Sequence, residues 1–342
     1  MRRTLLILAA LAVAGLAAAV SVVSLGLYNV SARAGHLPGV SWVLHTTFRN
    51  AVRLRAPAED EVPDLSDPAL IALGAGHYAT ACAPCHAGPD DSRTATMRAM
   101  LPVPPPIREA VAGWQPSHLH WIVENGVKMT GMPGWPAGGR ADEVWAVVAY
   151  LDAVKRQEAP PLPEVSAQQQ SAPPGAAYCA TCHGSISAHV PRLDIQQPGY
   201  LAETLDDYLT GARASGIMQQ AVSMVPPEAL PDLAAHFAAG PAVTVAAAVS
   251  PAAGAALATR GTREVPACTA CHGPGAPVAQ PEAPALAGQD RAFLAAQLRL
   301  WRDGVRRGSD KMSAAARSLS DEEIALLSDW YAALPTDGEI AE

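Results

Sequence analysis

The sequence predicts an all-α protein with one amino-terminal membrane-spanning helix followed by three small helical domains. Three observations predict it. Residues 4–32 carry no charged side chain, and all six cysteines fall in three copies of one five-residue pattern. The 31 prolines and 27 glycines, with only 17 aromatics (7 Trp, 7 Tyr, 3 Phe) in 342 residues, suit short helices joined by irregular loops better than a large sheet. An apolar content of 49% argues against wholesale disorder. With 24 basic against 32 acidic residues, the charge balance excludes a nucleic-acid binder. Beyond residue 55 the count is 18 against 32, so the part outside the anchor is acidic.

The predicted anchor occupies residues 1–30. Arg2 and Arg3 precede the uncharged run, and its core from Leu5 to Leu27 is long enough to cross about 30 Å of hydrocarbon as a helix. A cleaved signal peptide is the competing reading, suggested by Ala32-Arg33-Ala34, but such peptides have apolar regions of only about 7–15 residues. Residues 31–62 form the juxtamembrane segment, where Leu44, Phe48 and Val52 recur at steps of four beside Arg49 and Arg53. That pattern describes an amphipathic helix, lying on lipid or packed on its own domain.

The cysteines read Cys82-Ala-Pro-Cys85-His86, Cys179-Ala-Thr-Cys182-His183 and Cys268-Thr-Ala-Cys271-His272. Two thiols three positions apart can each form a thioether with one vinyl group of a haem, while the histidine that follows reaches the iron from the same side. One isolated copy would also suit a redox pair or half a zinc site. Three copies, each with the histidine, point to three covalently attached haem c groups and leave no cysteine for a disulfide. Because haem c is attached outside the bacterial cytoplasm, the expected location is the inner membrane with the haem domains in the periplasm.

These motifs, spaced 97 and 89 residues apart, make the stretch from Asp64 to Leu334 resemble three class I cytochromes c in series. The resemblance implies that each domain has a first helix entering the haem motif, one or two middle helices, and a last helix crossing the first. The expected boundaries are 63–157 for domain 1, 158–177 for a linker with two Pro-Pro pairs and Gln168-Gln169-Gln170, 178–242 for domain 2 and 243–342 for domain 3, with the joint at 240–256 loosely defined. Domains 2 and 3 align directly. Pro191 to Gly211 matches Pro284 to Gly304 at an offset of 93, pairing Leu193 with Leu286, Gln196 with Gln289, Tyr200-Leu201 with Phe293-Leu294 and Tyr208 with Trp301. This pair resembles the dihaem cytochrome c₄ family, whereas domain 1 is a different subtype.

Whether a haem passes electrons or binds a substrate depends on the group closing the far side of its iron. By resemblance to class I segments, Met132, between Gly131 and Pro133, is the expected sixth ligand of domain 1 in preference to Met129. Met218 lies seven residues before Val225 as Met312 lies seven before Leu319, which favours Met218 over Met224 in domain 2 and Met312 in domain 3. The resemblance further implies that the carbonyls of Pro191 and Pro284, and more loosely Pro105, accept a hydrogen bond from the ligand histidines. His36, His45, His77, His118, His120, His189 and His236 offer alternative axial ligands in principle, and most are read as surface or packing residues. Arg299, Arg302, Arg306, Arg307 and Lys311 precede Met312 and suggest a basic rim for partner docking.

The expected function is a membrane-anchored carrier that transforms no organic substrate itself. It would pass electrons from a periplasmic or membrane donor to a respiratory acceptor. The redox partner would be a dehydrogenase, a quinol-oxidising complex or a terminal oxidase. The layout also resembles the trihaem subunits of membrane-bound alcohol and gluconate dehydrogenases, which implies a dehydrogenase subunit passing electrons to quinone as the alternative. A peroxidase or gas sensor would need one open iron, which three well-placed methionines disfavour.

Overall fold

A computed structural model of the chain describes residues 1–164, 172–184, 186, 188–240, 252–273 and 283–336, and every regular element among them is helical. The Gln168–Gln170 stretch, most of the joint at 240–256 and Pro274 lie outside the described residues. Helix α1, Arg2–Ser24, has a mean hydropathy of 2.7 over its most apolar window and buries no residue. It is long and apolar enough to cross a membrane, consistent with an anchor.

Helix α2, Val40–Arg55, is amphipathic as expected, and its second half packs on the first domain. Val52 is completely buried and Phe48 meets the Trp114 ring edge-on at 5.5 Å. Its first half leaves Trp42, Val43 and Leu44 exposed.

The first unit runs through α3 (Pro68–Ala81), α4 (Ala83–His86), α5 (Ala95–Arg98), α6 (Ile107–Ala112), α7 (Pro116–Asn125) and α8 (Ala141–Arg156). Asp67 caps α3 by accepting the N–H of Ala69 at 2.9 Å, and Pro68 occupies the first turn, where no N–H is needed. Helices α3 and α8 cross so closely that a Cβ on Gly74 would lie 1.9 Å from the Ala146 carbonyl oxygen. Around the crossing, Tyr78, Val144, Val147, Val148, Tyr150 and Val154 form the core. Ala159 and Leu162, at the start of the expected linker, pack on this core as well.

The second unit has α9 (Ala176–His183), α10 (Pro198–Thr210), α11 (Gly216–Ser223) and α12 (Leu230–Ala238), and the third has α13 (Ala252–Arg260), α14 (Thr269–His272), α15 (Arg291–Arg302), α16 (Asp310–Ala316) and α17 (Asp321–Ala333). Leu230 and Leu233 sit in the second core, and Ile324, Leu327 and Tyr331 in the third, with Phe237 packed alongside its unit. The close crossing of first and last helices recurs in the third unit, where Gly254 of α13 abuts the Leu326 carbonyl and Trp330 of α17.

The three units touch. His189 is their meeting point: its backbone N–H donates to Asp290 Oδ1 at 3.0 Å and its ring Nε2 lies 2.6 Å from Asp67 Oδ2.

Candidate metal centres

Each five-residue motif lies on one helical turn. Cys82 ends α3 and leads into α4 with Cys85 and His86; Cys179, Cys182 and His183 lie in α9; Cys268 precedes α14 with Cys271 and His272. All six thiols are free and half-buried. Burial pushes the Cys82 thiol up to about 12 and the Cys179 thiol to about 11, so both are neutral in the bare chain.

A proline carbonyl stands behind every motif histidine. His86 Nδ1 lies 2.8 Å from the Pro105 oxygen, His183 Nδ1 3.1 Å from that of Pro191, and His272 Nδ1 2.9 Å from that of Pro284. Pro105 is thus the partner among the five residues of the proline-rich run 102–106. A carbonyl can only accept, so the proton sits on Nδ1 and the Nε2 lone pair is left for a metal. Burial also lowers the pKa of His183 and His272, with the proline carbonyls opposing, and the neutral imidazole it favours is the ligating form.

On the opposite side, His272 Nε2 faces the Met312 sulfur at 3.5 Å. Among the described residues no such direct contact joins His86 to Met132 or His183 to Met218. The rivals differ in exposure: Met224 is 57% and Met129 92% exposed, whereas Met132, Met218 and Met312 are all half-buried. Met218 and Met312 are equivalently held near the starts of α11 and α16, their N–H groups bonded to Ser215 Oγ at 3.2 Å and Ser309 Oγ at 3.3 Å. Met132 lies instead in a loop, its N–H bonded to Thr130 Oγ1 at 3.1 Å and its carbonyl accepting the N–H of Val127 at 3.1 Å. Paired thiols, a neutral imidazole with a fixed far nitrogen, and a thioether sulfur facing it are a donor set that fits haem c.

Two of the five cations expected to form a basic rim before Met312 are paired with carboxylates. Arg299 and Arg302 pair with Asp321 at 3.2 and 3.1 Å, and Arg302 also bonds Asp303 at 2.9 Å. Arg306 is half-buried and turned to the joint with the second unit. It reaches the second unit, bonding Tyr200 Oη at 3.4 Å and Gln297 Oε1 at 2.6 Å while stacking 4.9 Å over Trp301. Arg213, its equivalent at the offset of 93, stacks 4.9 Å over Tyr208 and reaches Gln297 at 3.2 Å. Burial alone would raise the Tyr200 phenol, but the two guanidinium groups bring it down to about 8. Neither arginine has a carboxylate ion-pair partner among the described residues.

Sequence reasoning also missed Arg140, Glu143 and Trp135. Arg140 is 6% exposed, pairs with Glu143 at 2.7 Å, and donates to the Ala214 carbonyl of the second unit at 2.6 Å. Nothing local marks these residues, because their partners lie more than seventy positions away. Of the histidines set aside, His77 is buried against Trp135, His120 is buried with Nε2 2.8 Å from the Ala141 carbonyl, and His118 caps α7. No cluster of three or more His, Cys, Asp or Glu able to hold a metal exists among the described residues.

Two stretches, residues 69–151 and 250–330, match the family described as cytochrome c oxidase, cbb3-type, subunit III. The chain is 38% identical over 177 residues to a thiosulfate dehydrogenase electron acceptor of Stutzerimonas stutzeri, covering 48% of this chain and 82% of that protein. It is 34% identical over 170 residues to cytochrome c4 of Pseudomonas aeruginosa, covering 46% and 85%. Reduced recombinant cytochrome c4 from Pseudomonas stutzeri is a solved structure at 30% identity, covering 47% of this chain and 96% of its own, with a TM-score of 0.43. Three Cys-x-x-Cys-His turns backed by proline carbonyls, together with these sequence relatives, place the chain in the cytochrome c family as an electron-transfer member related to cytochrome c4 and to the thiosulfate dehydrogenase electron acceptors.

Proposed function

We propose that this chain is an inner-membrane-anchored trihaem carrier that takes electrons from a periplasmic dehydrogenase and delivers them to a respiratory acceptor. The observation that carries the reading is the repetition, in three units, of a Cys-x-x-Cys-His turn whose histidine Nδ1 is held by a proline carbonyl. Cys82 and Cys85, Cys179 and Cys182, and Cys268 and Cys271 would hold three haem c groups, with His86 and Met132, His183 and Met218, and His272 and Met312 as the axial pairs. Each bound haem would supply one-electron iron chemistry. The protein's part is to fix each histidine through Nδ1, to present a thioether opposite it, and to provide Arg213 and Arg306 as counter-charges for haem carboxylates at the joint between the second and third units. Helix α1 would hold the units at the membrane, by the length argument above.

Two relatives, in Stutzerimonas stutzeri and Thiomonas intermedia, are electron acceptors of thiosulfate dehydrogenase, which supports a thiosulfate-oxidising enzyme as donor. The match to cbb3-type oxidase subunit III supports a terminal oxidase as acceptor. The test is to mix the full-length, haem-loaded chain with thiosulfate dehydrogenase and follow its reduction by thiosulfate. Three haem equivalents reduced within enzyme turnover are expected, with carbon monoxide leaving the reduced spectrum unchanged. No reduction would remove thiosulfate dehydrogenase as donor, and stoichiometric carbon monoxide binding at any iron would replace the carrier reading with an open-site one.

A further inference from the structure

The helix presenting Met218 begins at a place where two units are joined by a side chain that no haem motif accounts for. Glu143, in the first turn of α8, reaches from the first unit into the second and accepts the Ser215 hydroxyl at 2.5 Å, the Gly216 N–H at 2.6 Å and the Ile217 N–H at 3.4 Å. These groups form the start of α11, and the same Ser215 hydroxyl accepts the N–H of Met218. Arg140 neutralises the carboxylate from within the first unit. The Trp135 indole covers the junction, its N–H 3.4 Å from Glu143 Oε2, and a Cβ on Gly216 would come within 2.2 Å of that nitrogen. Trp135 stands three residues after Met132, so the two methionine-bearing segments touch here.

The third unit shows what is unusual about this. Helix α16 also has a serine cap, Ser309, but carries its own acid, Asp310, in the first turn. Gly216 occupies the corresponding place in α11, whose first turn has no acid. A negative charge at a helix start satisfies its unpaired N–H groups and opposes the helix dipole. The third unit supplies that charge from its own sequence, whereas the second receives it from the first unit, and its glycine makes room for the tryptophan that comes with it.

We propose that Glu143 is a positioning residue through which the first unit holds the Met218 helix in register, so that methionine ligation of the second iron depends on docking of the first unit. This rests on Met218 being the sixth ligand. Hydrogen bonds to a charged group are strong enough that losing them should raise the carbon monoxide affinity of the second iron roughly tenfold to hundredfold. The experiment uses the full-length, haem-loaded protein and carbon monoxide as probe, comparing Glu143→Ala, Glu143→Gln and Gly216→Ala with Met218→Ala as the reference for a fully opened second site. Glu143→Ala and Gly216→Ala should open that haem alone and weaken its methionine–iron charge-transfer band. Glu143→Gln, which keeps the shape and loses the charge, should fall between them and the parent. If Met218→Ala opens the site and Glu143→Ala does not, the positioning role is wrong and the ligand assignment stands. If Met218→Ala leaves the second haem closed, the ligand assignment fails and the positioning role with it. A Glu143→Ala protein whose three haems open alike would report a lost fold and overturn the specific coupling too.

Discussion

The two joints between the three helical units are built on different principles. Between the second and third units the contacts are an exchange of equivalents. Gln196 Nε2 donates to the Ala285 carbonyl at 2.8 Å and its Oε1 accepts the Ala285 N–H at 3.0 Å, while Gln289 makes the same two bonds, at 3.0 and 2.7 Å, to Arg192. Arg192 and Ala285 are themselves equivalent, each following the proline whose carbonyl fixes the motif histidine. Between the first and second units nothing is paired in this way. A buried ion pair, an indole and a glycine from unlike elements do the joining. The joint made by two copies of one surface pairs equivalent amides and carries Arg213 and Arg306 without a carboxylate partner among the described residues, whereas the joint between unlike surfaces is held by a carboxylate–guanidinium pair.

The largest expected effect lies in that charge. Arg140→Met leaves Glu143 buried against four donors without its counter-ion, and removal of one partner of a buried pair costs about 3–5 kcal/mol. Denaturant unfolding should show the first unit separating from the second, with the second–third pair unfolding at its parental midpoint. Equal loss in both transitions would show that the two joints are one cooperative unit.

Acid should discriminate the joints next. Burial pushes His77 down to about 4 from 6.5, and the ring lies 4.7 Å from that of Trp135 at the first joint. Its folded value is below its unfolded value, so the unfolded chain binds the extra proton, and stability present above pH about 6.5 is lost as pH falls toward 4. A shift of this size corresponds to roughly 3 kcal/mol. Burial also raises the Glu143 carboxyl, against the pull of Arg140 and Ser215, which works in the opposite sense at low pH. His77→Gln separates the two, since it should flatten the stability profile of the first unit between pH 4 and 6.5 and leave the other two units as they were. A profile unchanged by the substitution would assign the acid sensitivity elsewhere.

The symmetric joint predicts a smaller loss shared by both partners. Gln289→Ala removes two hydrogen bonds to Arg192 from a side chain only 2% exposed, about 2–3 kcal/mol, and Gln196→Ala should match it within a factor of two. Strongly unequal costs, measured by thermal unfolding of the full chain, would show that the exchange is symmetric in geometry and not in energy.

Much of this was legible in advance, for physical reasons that differ by residue. Covalent attachment demands two cysteines and a histidine on one turn, so the three motifs declare themselves wherever they stand. The offset of 93, read from the gapless match of Pro191–Gly211 to Pro284–Gly304, equates Gln196 with Gln289 and Arg192 with Ala285, and the fold joins these two equivalent pairs crosswise. The charge cluster at residues 299–311 misled because linear density says nothing of pairing. Asp321 and Asp303 together pair with two of its arginines, and Arg306 points into the neighbouring unit. Glu143 and Trp135 gave no sign, because a joint between unlike surfaces leaves no internal repeat to align. The absence of acid in the first turn of α11 was visible, yet only the fold shows which residue compensates for it.

The smallest effect belongs to the third joint, between α2 and the first unit, and it tests how independent the haem body is of the anchor. Val52 is fully buried, and on the same contact Phe48 lies edge-on to Trp114 and Arg49 5.8 Å above the same ring. Val52→Ala removes two methyl groups from a site at the rim of the core, where the surroundings can close up, and should cost about 1–2 kcal/mol. Because α2 carries no motif residue, haem spectra and both unit joints should be unaffected. What should change is the protection of the connection between α2 and α3, residues 56–67, which ought to be cut several-fold faster by protease in detergent as α2 opens from Trp114. Faster cleavage with unchanged haem spectra would mean that α2 docks as a separable strut. A change in the first haem's spectrum would instead mean that the strut bears on the iron site, through Trp114 and the helices that follow it.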